Sequence, residues 1–580
     1  METITLDKKN PKAKTYKKMS GSDALIQSML AEGVKTVFGY PGGAIMPLYD
    51  KLMDYEEQLH HVLTRHEQGA IHAAQGFARV SGEVGVCLAT SGPGATNLVT
   101  GIADAFMDST PLVCFTGQVF SHLLGSDAFQ ETDVVGVSMP VTKWNFQITK
   151  AEEIAEAVAK AFYIARSGRP GSVVIDITKD AMINEVDFHY EKCKMIRSYI
   201  PVPLTKDHYV KEAVDLIDQA KRPLIVFGQG VVLGSAEEEL KAFLEKTGIP
   251  AASTLLGLSA LPNDHELYTG MLGMHGNAAP NIKTNEADLI IALGMRFDDR
   301  VTGKVDAYAP NAKKIHFEID KAEVNKIIKI DVKVLGSLKD TLPKVTELVS
   351  PNSHQKWRDS FRVIDELEYS RVIKKELYPE SGEITMGEAM RQLNNISEGS
   401  AVVVTDVGQH QMIASRYTKL NNTRSFITSG GLGTMGFALP AAMGAQIAAP
   451  DKKVVSIAGD GGFQMTMQEL GTIAFNNVPV KMIVLNNNYL GMVRQWQELF
   501  FDKRYASTAI SSPDFVHLAS SYGIKGERVF ERKDLVDAIK RMWESHGPYI
   551  LEIKVETKGN VFPMIPAGSA VDKVVFGDEK

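Results

Sequence analysis

Two short runs late in the chain carry the residue types of a metal and phosphate site: Gly459-Asp460-Gly461 and Asn486-Asn487. One carboxylate, one amide oxygen and a nearby main-chain carbonyl form a hard oxygen set suited to magnesium, with phosphate oxygens and water completing the octahedron. The glycines remove side chains, so a diphosphate could approach a helix N-terminus whose amides and dipole favour anions. A strand-end turn with a helix-capping Asp is the plain alternative, and a lone Gly-Asp-Gly would support no more than that. The double Asn, correctly placed, favours the metal.

Such a site needs two neighbouring strand ends. Val454-Val455-Ser456-Ile457-Ala458 has the composition of a buried strand running into Gly459, Met465 to Phe475 is helical in pattern, and Val480 to Leu485 is a second strand ending in Asn486. A βαβ unit makes the two strands parallel with their carboxyl ends side by side, which is where open α/β sheets take ligands. The 24 residues between Gly461 and Asn486 resemble the spacing in thiamine diphosphate enzymes.

That cofactor must also be activated. A poorly solvated carboxylate, hydrogen-bonded to the aminopyrimidine ring, favours the imino form that removes the thiazolium C2 proton. Early in the chain, the strand His61-Val62-Leu63-Thr64-Arg65 leads into His66-Glu67 and then a small-residue helix, Gly69-Ala70-Ile71-His72-Ala73-Ala74-Gln75-Gly76. A Gly/Ala face permits close helix approach and would bury Glu67. By itself Glu67 is a dipole-stabilised carboxylate at an ordinary helix start; beside the clamp it becomes the candidate for activation.

The remainder of the 580 residues supplies the scaffold. Hydrophobic content of 44% with 23% charged residues is ordinary for a globular protein, and a net charge of -7 argues against a nucleic-acid surface. No stretch reaches the roughly 18 apolar residues of a membrane span. Cys87, Cys114 and Cys193 are too scattered for a disulfide framework or zinc site, which fits a reducing, cytoplasmic setting. Lys8, Lys9, Lys12, Lys14, Lys17 and Lys18 precede no apolar core and keep company with Glu2 and Asp7, so they suggest neither a secretory signal nor a transit peptide but a solvated, frayed tail.

Short β-branched runs alternating with Ala-rich stretches predict an α/β fold of three doubly wound parallel-sheet domains. The divisions are 1–187, 200–349 and 380–556, with 557–580 as a C-terminal tail. Strands are expected at Val84–Ala89, Leu112–Thr116 and Ser172–Ile177 in the first, and at Pro223–Phe227, Leu289–Leu293 and Lys314–Ile319 in the second. Ile200-Pro201-Val202-Pro203 is a linker, and Trp357 to Lys375 a connecting helix with a solvated face.

With both sites in view, the chain resembles the thiamine diphosphate decarboxylase/carboligase superfamily, whose pyrimidine-binding, central and diphosphate-binding domains run in that order. The resemblance implies that the site forms between two chains, with Glu67 of one serving the cofactor clamped by Asp460 and Asn487 of the other, and a homodimer as the minimum active unit. Finer motifs are similar to those of the biosynthetic acetohydroxyacid (acetolactate) synthase catalytic subunits across nearly the whole chain. They are Tyr40-Pro41-Gly42-Gly43-Ala44, Ala128-Phe129-Gln130-Glu131-Thr132-Asp133, Gly270-Met271-Leu272-Gly273-Met274-His275-Gly276, Arg296-Phe297-Asp298-Asp299-Arg300-Val301-Thr302-Gly303 and Gly491-Met492-Val493-Arg494-Gln495-Trp496-Gln497.

This family decarboxylates pyruvate on thiamine diphosphate and joins the hydroxyethyl unit to pyruvate or 2-ketobutyrate, in valine, leucine and isoleucine biosynthesis. By resemblance the catalytic set is Glu67, Gln130, Lys179, Arg300 and Trp496, with Phe129 beside Gln130. An arginine fork suits the second ketoacid's carboxylate, and Trp496 would wall its alkyl group; a solvated charge is the alternative for Lys179. Cofactor contacts implied are Gly43, Pro93, Asn97, Gln130, Gly408, Gln409, His410, Gly433, Met435, Gly459, Asp460, Gly461, Gly462, Asn487, Tyr489, Gly491 and Met492, with Asp460, Asn487 and Tyr489 on magnesium. Met435 would wedge the cofactor into its bent shape, with a core-filling role as the alternative.

In the middle block, Gly228-Gln229-Gly230 after a strand and Glu318 at another strand end are a weak nucleotide signal. The resemblance implies FAD held without redox use, through Arg169, Gly228, Gly230, Thr254, Leu255, Met274, His275, Arg296, Arg300 and Glu318. Where the family has Gly-Asp near the adenine, this chain has Gly336-Ser337, a lost carboxylate that bears on flavin affinity. It also implies a homodimer or homotetramer, a small regulatory subunit as partner, and Gly559–Gly568 as a lid whose Phe562 and Met564 are apolar. The alternatives are a catabolic acetolactate synthase, a pyruvate oxidase-like enzyme, and a non-catalytic homologue acting as an assembly subunit. Glyoxylate carboligase is disfavoured by Glu67.

Overall fold

A computed structural model describes residues 16–577. Its contacts form two compact units. One takes the chain up to Ile200 with Gly431–Pro450 and Thr466–Val478; the other takes Pro201–Gly430, Asp451–Met465 and the chain from Pro479 onward.

The first unit contains β1 (Lys17–Ser20), β2 (Thr36–Gly39), β3 (His60–Leu63), β4 (Gly85–Ala89), β5 (Leu112–Gln118), β6 (Trp144–Ile148), β7 (Ser172–Thr178) and β8 (Glu185–Phe188). Six of them form a parallel sheet in the order β3-β2-β4-β5-β7-β6, and β1 pairs antiparallel with β8. Lys17 and Lys18 are thus in a paired strand and not in a frayed tail; Lys8, Lys9, Lys12 and Lys14 lie outside the described residues.

The second unit holds two further sheets. One has β9 (Pro223–Phe227), β10 (Ala251–Ser253), β11 (Tyr268–Met271), β12 (Leu289–Leu293), β13 (Lys313–Glu318) and β14 (Val332–Leu335), ordered β11-β10-β9-β12-β13-β14. The other has β15 (Val402–Thr405), β16 (Phe426–Thr428), β17 (Val454–Gly459), β18 (Lys481–Asn486), β19 (Lys525–Val529) and β20 (Tyr549–Lys554), ordered β16-β15-β17-β18-β20-β19. All pairs in both are parallel. The chain is therefore an α/β protein with three six-stranded parallel sheets, as its alternation of apolar runs predicts.

Strands β4, β5, β7, β9, β12, β15 and β18 are buried along their whole length, so both faces of each sheet are covered and the strands have no alternating pattern. The first and third sheets share one strand order. Each reverses direction at the same point, between β2 and β4 and between β15 and β17, and such a switch point opens a crevice at the carboxyl ends. The middle sheet reverses between β9 and β12.

Two helices set the first unit's interior. A Cβ at Gly76 of the helix Glu67–Ser81 would collide with the Ala441 carbonyl, and one at Gly444 of the helix Ala438–Ala448 with the Ala73 carbonyl. The Gly/Ala face thus brings two backbones into contact. No helix among the described residues is long and apolar enough to cross a membrane.

Some boundaries move. The helix expected from Met465 instead starts at Asp460, breaks at Thr466, and resumes after a 3-10 turn at Leu470–Phe475. Thr466 donates its hydroxyl to the Gly436 carbonyl, which draws the backbone out of helical conformation there. The connecting helix runs Gln355–Glu368 and passes through a π-helical segment, Tyr369–Ile373.

Gly444→Val places a branched side chain against the Ala73 carbonyl and should destabilise the first unit by roughly 3 kcal/mol. A thermal melt reads this as a lowered midpoint; an unchanged midpoint would show that the helices can separate without cost.

Candidate active site

In the third sheet, β17 and β18 pair in register from Val455–Lys481 to Gly459–Leu485. The next residues, Asp460 and Asn486-Asn487, therefore leave adjacent strand ends, and Asp460 begins a helix. Asp460 and Asn487 are 1% and 4% exposed. The Asn487 Oδ1 accepts the Tyr489 N–H at 3.0 Å, and its amide donates to Gln409 Oε1 at 3.4 Å. Asp460 accepts the Ser512 hydroxyl at 3.2 Å. Burial pushes its carboxyl up to about 6, against the pull of that hydrogen bond.

Glycines crowd this site for packing reasons. A Cβ at Gly408 or Gly459 would sit 2.8 or 2.9 Å from the His410 ring, and one at Gly462 or Gly491 would collide with Asp406 or Gln409. His410 is buried, its imidazole pushed down to about 3 by desolvation, and its Nε2 has no partner. Neutral His410 and an under-compensated carboxylate are what a cation and a phosphate donor set would relieve. Among the described residues no cluster of three His, Cys, Asp or Glu could hold a metal alone; one carboxylate with amide and main-chain oxygens fits magnesium carried in with a diphosphate.

The C-terminal stretch packs here too. Gln409 Nε2 donates to the Gly559 carbonyl at 2.9 Å and to Gln495 Oε1 at 3.0 Å, while Gln495 exchanges bonds with Val561 N–H and C=O. Val561, Met564 and Ile565 are buried, and Phe562 is partly so. Trp496 is half-buried on the helix Gly491–Phe500, tilted against Phe500 at 5.0 Å between ring centres. Met492 packs on the third sheet's core.

In the first unit, Glu67 is the first residue of its helix and is 8% exposed. The Asn97 amide donates to its Oε2 at 2.9 Å. The switch point between β2 and β4 brings the Gly42-Gly43-Ala44 turn against Thr90, whose hydroxyl accepts the Ala44 N–H at 3.3 Å. Gly92 leads to Pro93 with φ at +57°, and its Cβ would touch the Gln130 carbonyl at 2.9 Å. Gln130 itself has φ at +60°, and Phe129 beside it is 88% exposed. Lys179 starts a helix after β7 with its Nζ 5.7 Å from the Phe120 ring centre. Gly433 is exposed and Met435 partly buried in the segment that opens Gly431–Pro450.

The flavin candidates divide. Gly228 and Gly230 are needed for packing, since a Cβ on either would meet the Gly294 backbone at 2.6 Å. Glu318 Oε1 accepts the Ile319 and Asp320 N–H groups at 2.9 Å each, so the strand-end carboxylate already caps its own turn. Thr254 and Leu255 follow β10, with the Thr254 N–H bonded to the Phe227 carbonyl at 2.9 Å. His275 is buried with Nδ1 unpartnered, its imidazole pushed down to about 4 by desolvation. Met274 N–H donates to the Arg300 carbonyl at 2.8 Å, and Arg296 lies 4.0 Å from Asp298. Ser337 caps the helix Leu338–Leu348 without a side-chain bond, and Arg169, in the first unit, donates to the Ser109 hydroxyl. A neutral His275 whose Nδ1 lacks a partner fits a nucleotide cofactor; the glycines alone do not require one.

Three family models match in series: the N-terminal thiamine pyrophosphate binding domain over residues 19–137, the central domain of thiamine pyrophosphate enzymes over 210–345, and the C-terminal binding domain over 406–553. The acetolactate synthase of Mycobacterium bovis is 45% identical over 568 residues, covering 96% of this chain and 91% of that one. The isozyme 2 large subunit of Escherichia coli is 44% identical over 554 residues, 95% and 98% of the two chains. The chain belongs to the acetolactate synthase large-subunit family. A Lactococcus lactis large subunit, 43% identical over 572 residues, spans 98% of each chain.

Sequence reasoning missed several neighbours of this candidate site: Ser512, which bonds Asp460, and the Val561 backbone, which bonds Gln495, a residue that figures in the sequence only as part of a motif. Glu469 accepts the Arg65 N–H at 3.2 Å through both carboxylate oxygens and so braces the turn before Glu67. No local pattern marks any of them.

The Asp460 carboxyl in the metal-free chain is held above its usual value, so the folded state binds this proton more tightly than the unfolded one. A magnesium ion bound at Asp460 would have to displace it. Calorimetry should therefore show Mg2+ affinity about tenfold weaker at pH 5 than at pH 7, from the fraction deprotonated; a flat profile would remove Asp460 from the metal.

Proposed function

We propose that this chain condenses pyruvate, with loss of CO2, onto a second 2-ketoacid: pyruvate to give 2-acetolactate, or 2-ketobutyrate to give 2-aceto-2-hydroxybutyrate. The observation that carries this is the pairing of Asp460 and Asn487 at adjacent strand ends, in a chain similar to acetolactate synthases along nearly all its length. Bound thiamine diphosphate would supply the electron sink for decarboxylation. Asp460, Asn487 and the Tyr489 carbonyl would hold its magnesium, and Gly408, Gln409, His410, Gly461 and Gly462 its diphosphate.

The residues around these cofactor contacts then divide the work. Asn97 fixes Glu67 Oε2, which orients Oε1 to share a proton with a ring nitrogen of the cofactor. Arg300, with its side chain 62% exposed and, among the described residues, only Asp299 at 3.5 Å as an ionic neighbour, can offer its fork to the acceptor carboxylate. Trp496 presents an apolar wall to the acceptor's alkyl group, Gln130 and Lys179 complete the pocket with Phe129, and Gly433 and Met435 support the cofactor's bend.

Two chains make the site in this proposal, Glu67 coming from the partner of the chain whose Asp460 binds metal, so a homodimer is the smallest active form. FAD would bind without redox use through Met274, His275, Arg296 and Glu318. A small regulatory subunit would join the assembly in the cytoplasm; the E. coli relative's description as a large subunit supports this.

Glu67→Gln should lower kcat/KM for acetolactate formation at least a hundredfold while leaving the melting midpoint unchanged. Near-normal turnover would overturn its role. Trp496→Leu should erode the preference for 2-ketobutyrate over pyruvate several-fold, within the roughly 1–3 kcal/mol that one methylene contributes in an apolar pocket. Mixed-substrate competition reads the product ratio, and an unaltered ratio would take Trp496 out of the pocket.

A further inference from the structure

One helix of the second unit reaches from the clamp to a buried ion pair. The helix Gln409–Tyr417 begins with two clamp residues and ends one residue past Arg416. The side chains of Arg416 and Glu368 are 0% and 1% exposed, with Nη2 and Oε1 2.5 Å apart. Arg416 Nη1 donates to the carbonyls of Gly276 at 2.7 Å and His275 at 3.3 Å. Glu368 completes the figure, accepting the Ala278 N–H at 2.6 Å and the Asn277 amide at 3.1 Å.

A pair this deeply buried is poor evidence of stabilisation, because two apolar side chains of similar size would pack as well. Direction is what it adds. Arg416 also lies over the Tyr417 ring at 5.3 Å, but these four bonds all end on the 275–278 turn, so the pair fixes that turn to the clamp helix in one register.

The turn in its own way fixes Arg300. Met274 N–H donates to the Arg300 carbonyl at 2.8 Å, and Gly273, with φ at +110°, brings its backbone so near that a Cβ would lie 2.9 Å from the same oxygen. The Arg300 guanidinium rests on the Met274 sulfur at 3.7 Å. Asn281 holds the turn's far side through both Gly273 N–H and C=O at 2.9 Å. Clamp helix, Arg416, turn and Arg300 backbone thus form a continuous hydrogen-bonded path.

We propose that Arg416, together with Glu368, is a positioning residue for the acceptor 2-ketoacid, acting through the Met274-His275-Gly276 turn to set Arg300 relative to the clamp. The inference rests on the carboligation reading above and names a determinant of its second half-reaction. Decarboxylation of the first pyruvate needs the clamp and Glu67, whereas capture of the acceptor needs Arg300 at the right distance. A displacement of about 1 Å there is enough to cost up to a hundredfold.

The test uses the full chain with thiamine diphosphate and Mg2+, comparing the wild type, Arg416→Lys and the double variant Arg416→Met/Glu368→Gln, which removes both charges together. Three quantities are read: 2-ketobutyrate at half-saturation with the product ratio in mixed substrate, CO2 release from pyruvate in a single turnover, and the melting midpoint. The double variant should need about tenfold more 2-ketobutyrate and make proportionally more acetolactate, with CO2 release within about twofold and the midpoint little changed. Arg416→Lys, which keeps charge but loses the fork, should shift the same way by less, and it carries the test alone if the double variant does not fold. Unchanged acceptor use in the folded variants overturns the proposal, and so does a loss of CO2 release in parallel with acceptor use. A wild-type chain that makes no acetolactate defeats the carboligation reading itself and this inference with it.

Discussion

A carboxylate buried at the end of a strand must be neutralised by a proton or a cation, and Asp460 imposes that demand at the crevice of the third sheet. Its nearest side-chain donor is a serine hydroxyl, too weak to offset desolvation. His410 beside it is neutral and its Nε2 unpartnered. Hydrogen bonds among Asn487, Gln409, Gln495 and the 559–561 backbone hold the surroundings rigid. Preorganisation of this kind keeps a site from collapsing onto its own charge, at the cost of leaving the charge in need of a ligand.

The same architecture explains why the proposed site residues lie where they do. The first and third sheets share a strand order, so each presents a switch-point crevice at its carboxyl edge. One crevice lies beside Glu67 with Asn97 and the Gly42–Ala44 turn; the other has Asp460 and Asn487. In the proposed division of labour, the first would supply the activating carboxylate and the second the metal ligands. The middle sheet, with its reversal between β9 and β12, supplies the Met274–Gly276 turn and Arg300.

Much of this was legible in the sequence because it depends on local chemistry. The strands β9 and β12 agree residue for residue with their apolar runs, and Asp460 and Asn487 fall at neighbouring strand ends because a βαβ unit leaves no other arrangement. The helix start was misjudged since Gly461-Gly462 has turn composition, yet here the strand enters the helix without a turn. Lys17 and Lys18 resembled a solvated tail because their strand partner, β8, lies far along the chain. Gln409 bonded to Gly559 across 150 residues, Glu469 bonded to Arg65 across 404, and Arg416 paired with Glu368 leave no periodic trace. The glycines at 228 and 230 suggested a nucleotide, and the backbone of Gly294 gives them a packing reason as well.

Titration of thiamine diphosphate into the purified chain, with Mg2+ and again with a chelator, tests the clamp most directly. Binding that is tight with the metal, absent without it, and lost in Asp460→Asn despite an intact fold is the predicted result. Thiamine diphosphate binding that is equally tight in the chelator, or unaffected by Asp460→Asn, would contradict the account.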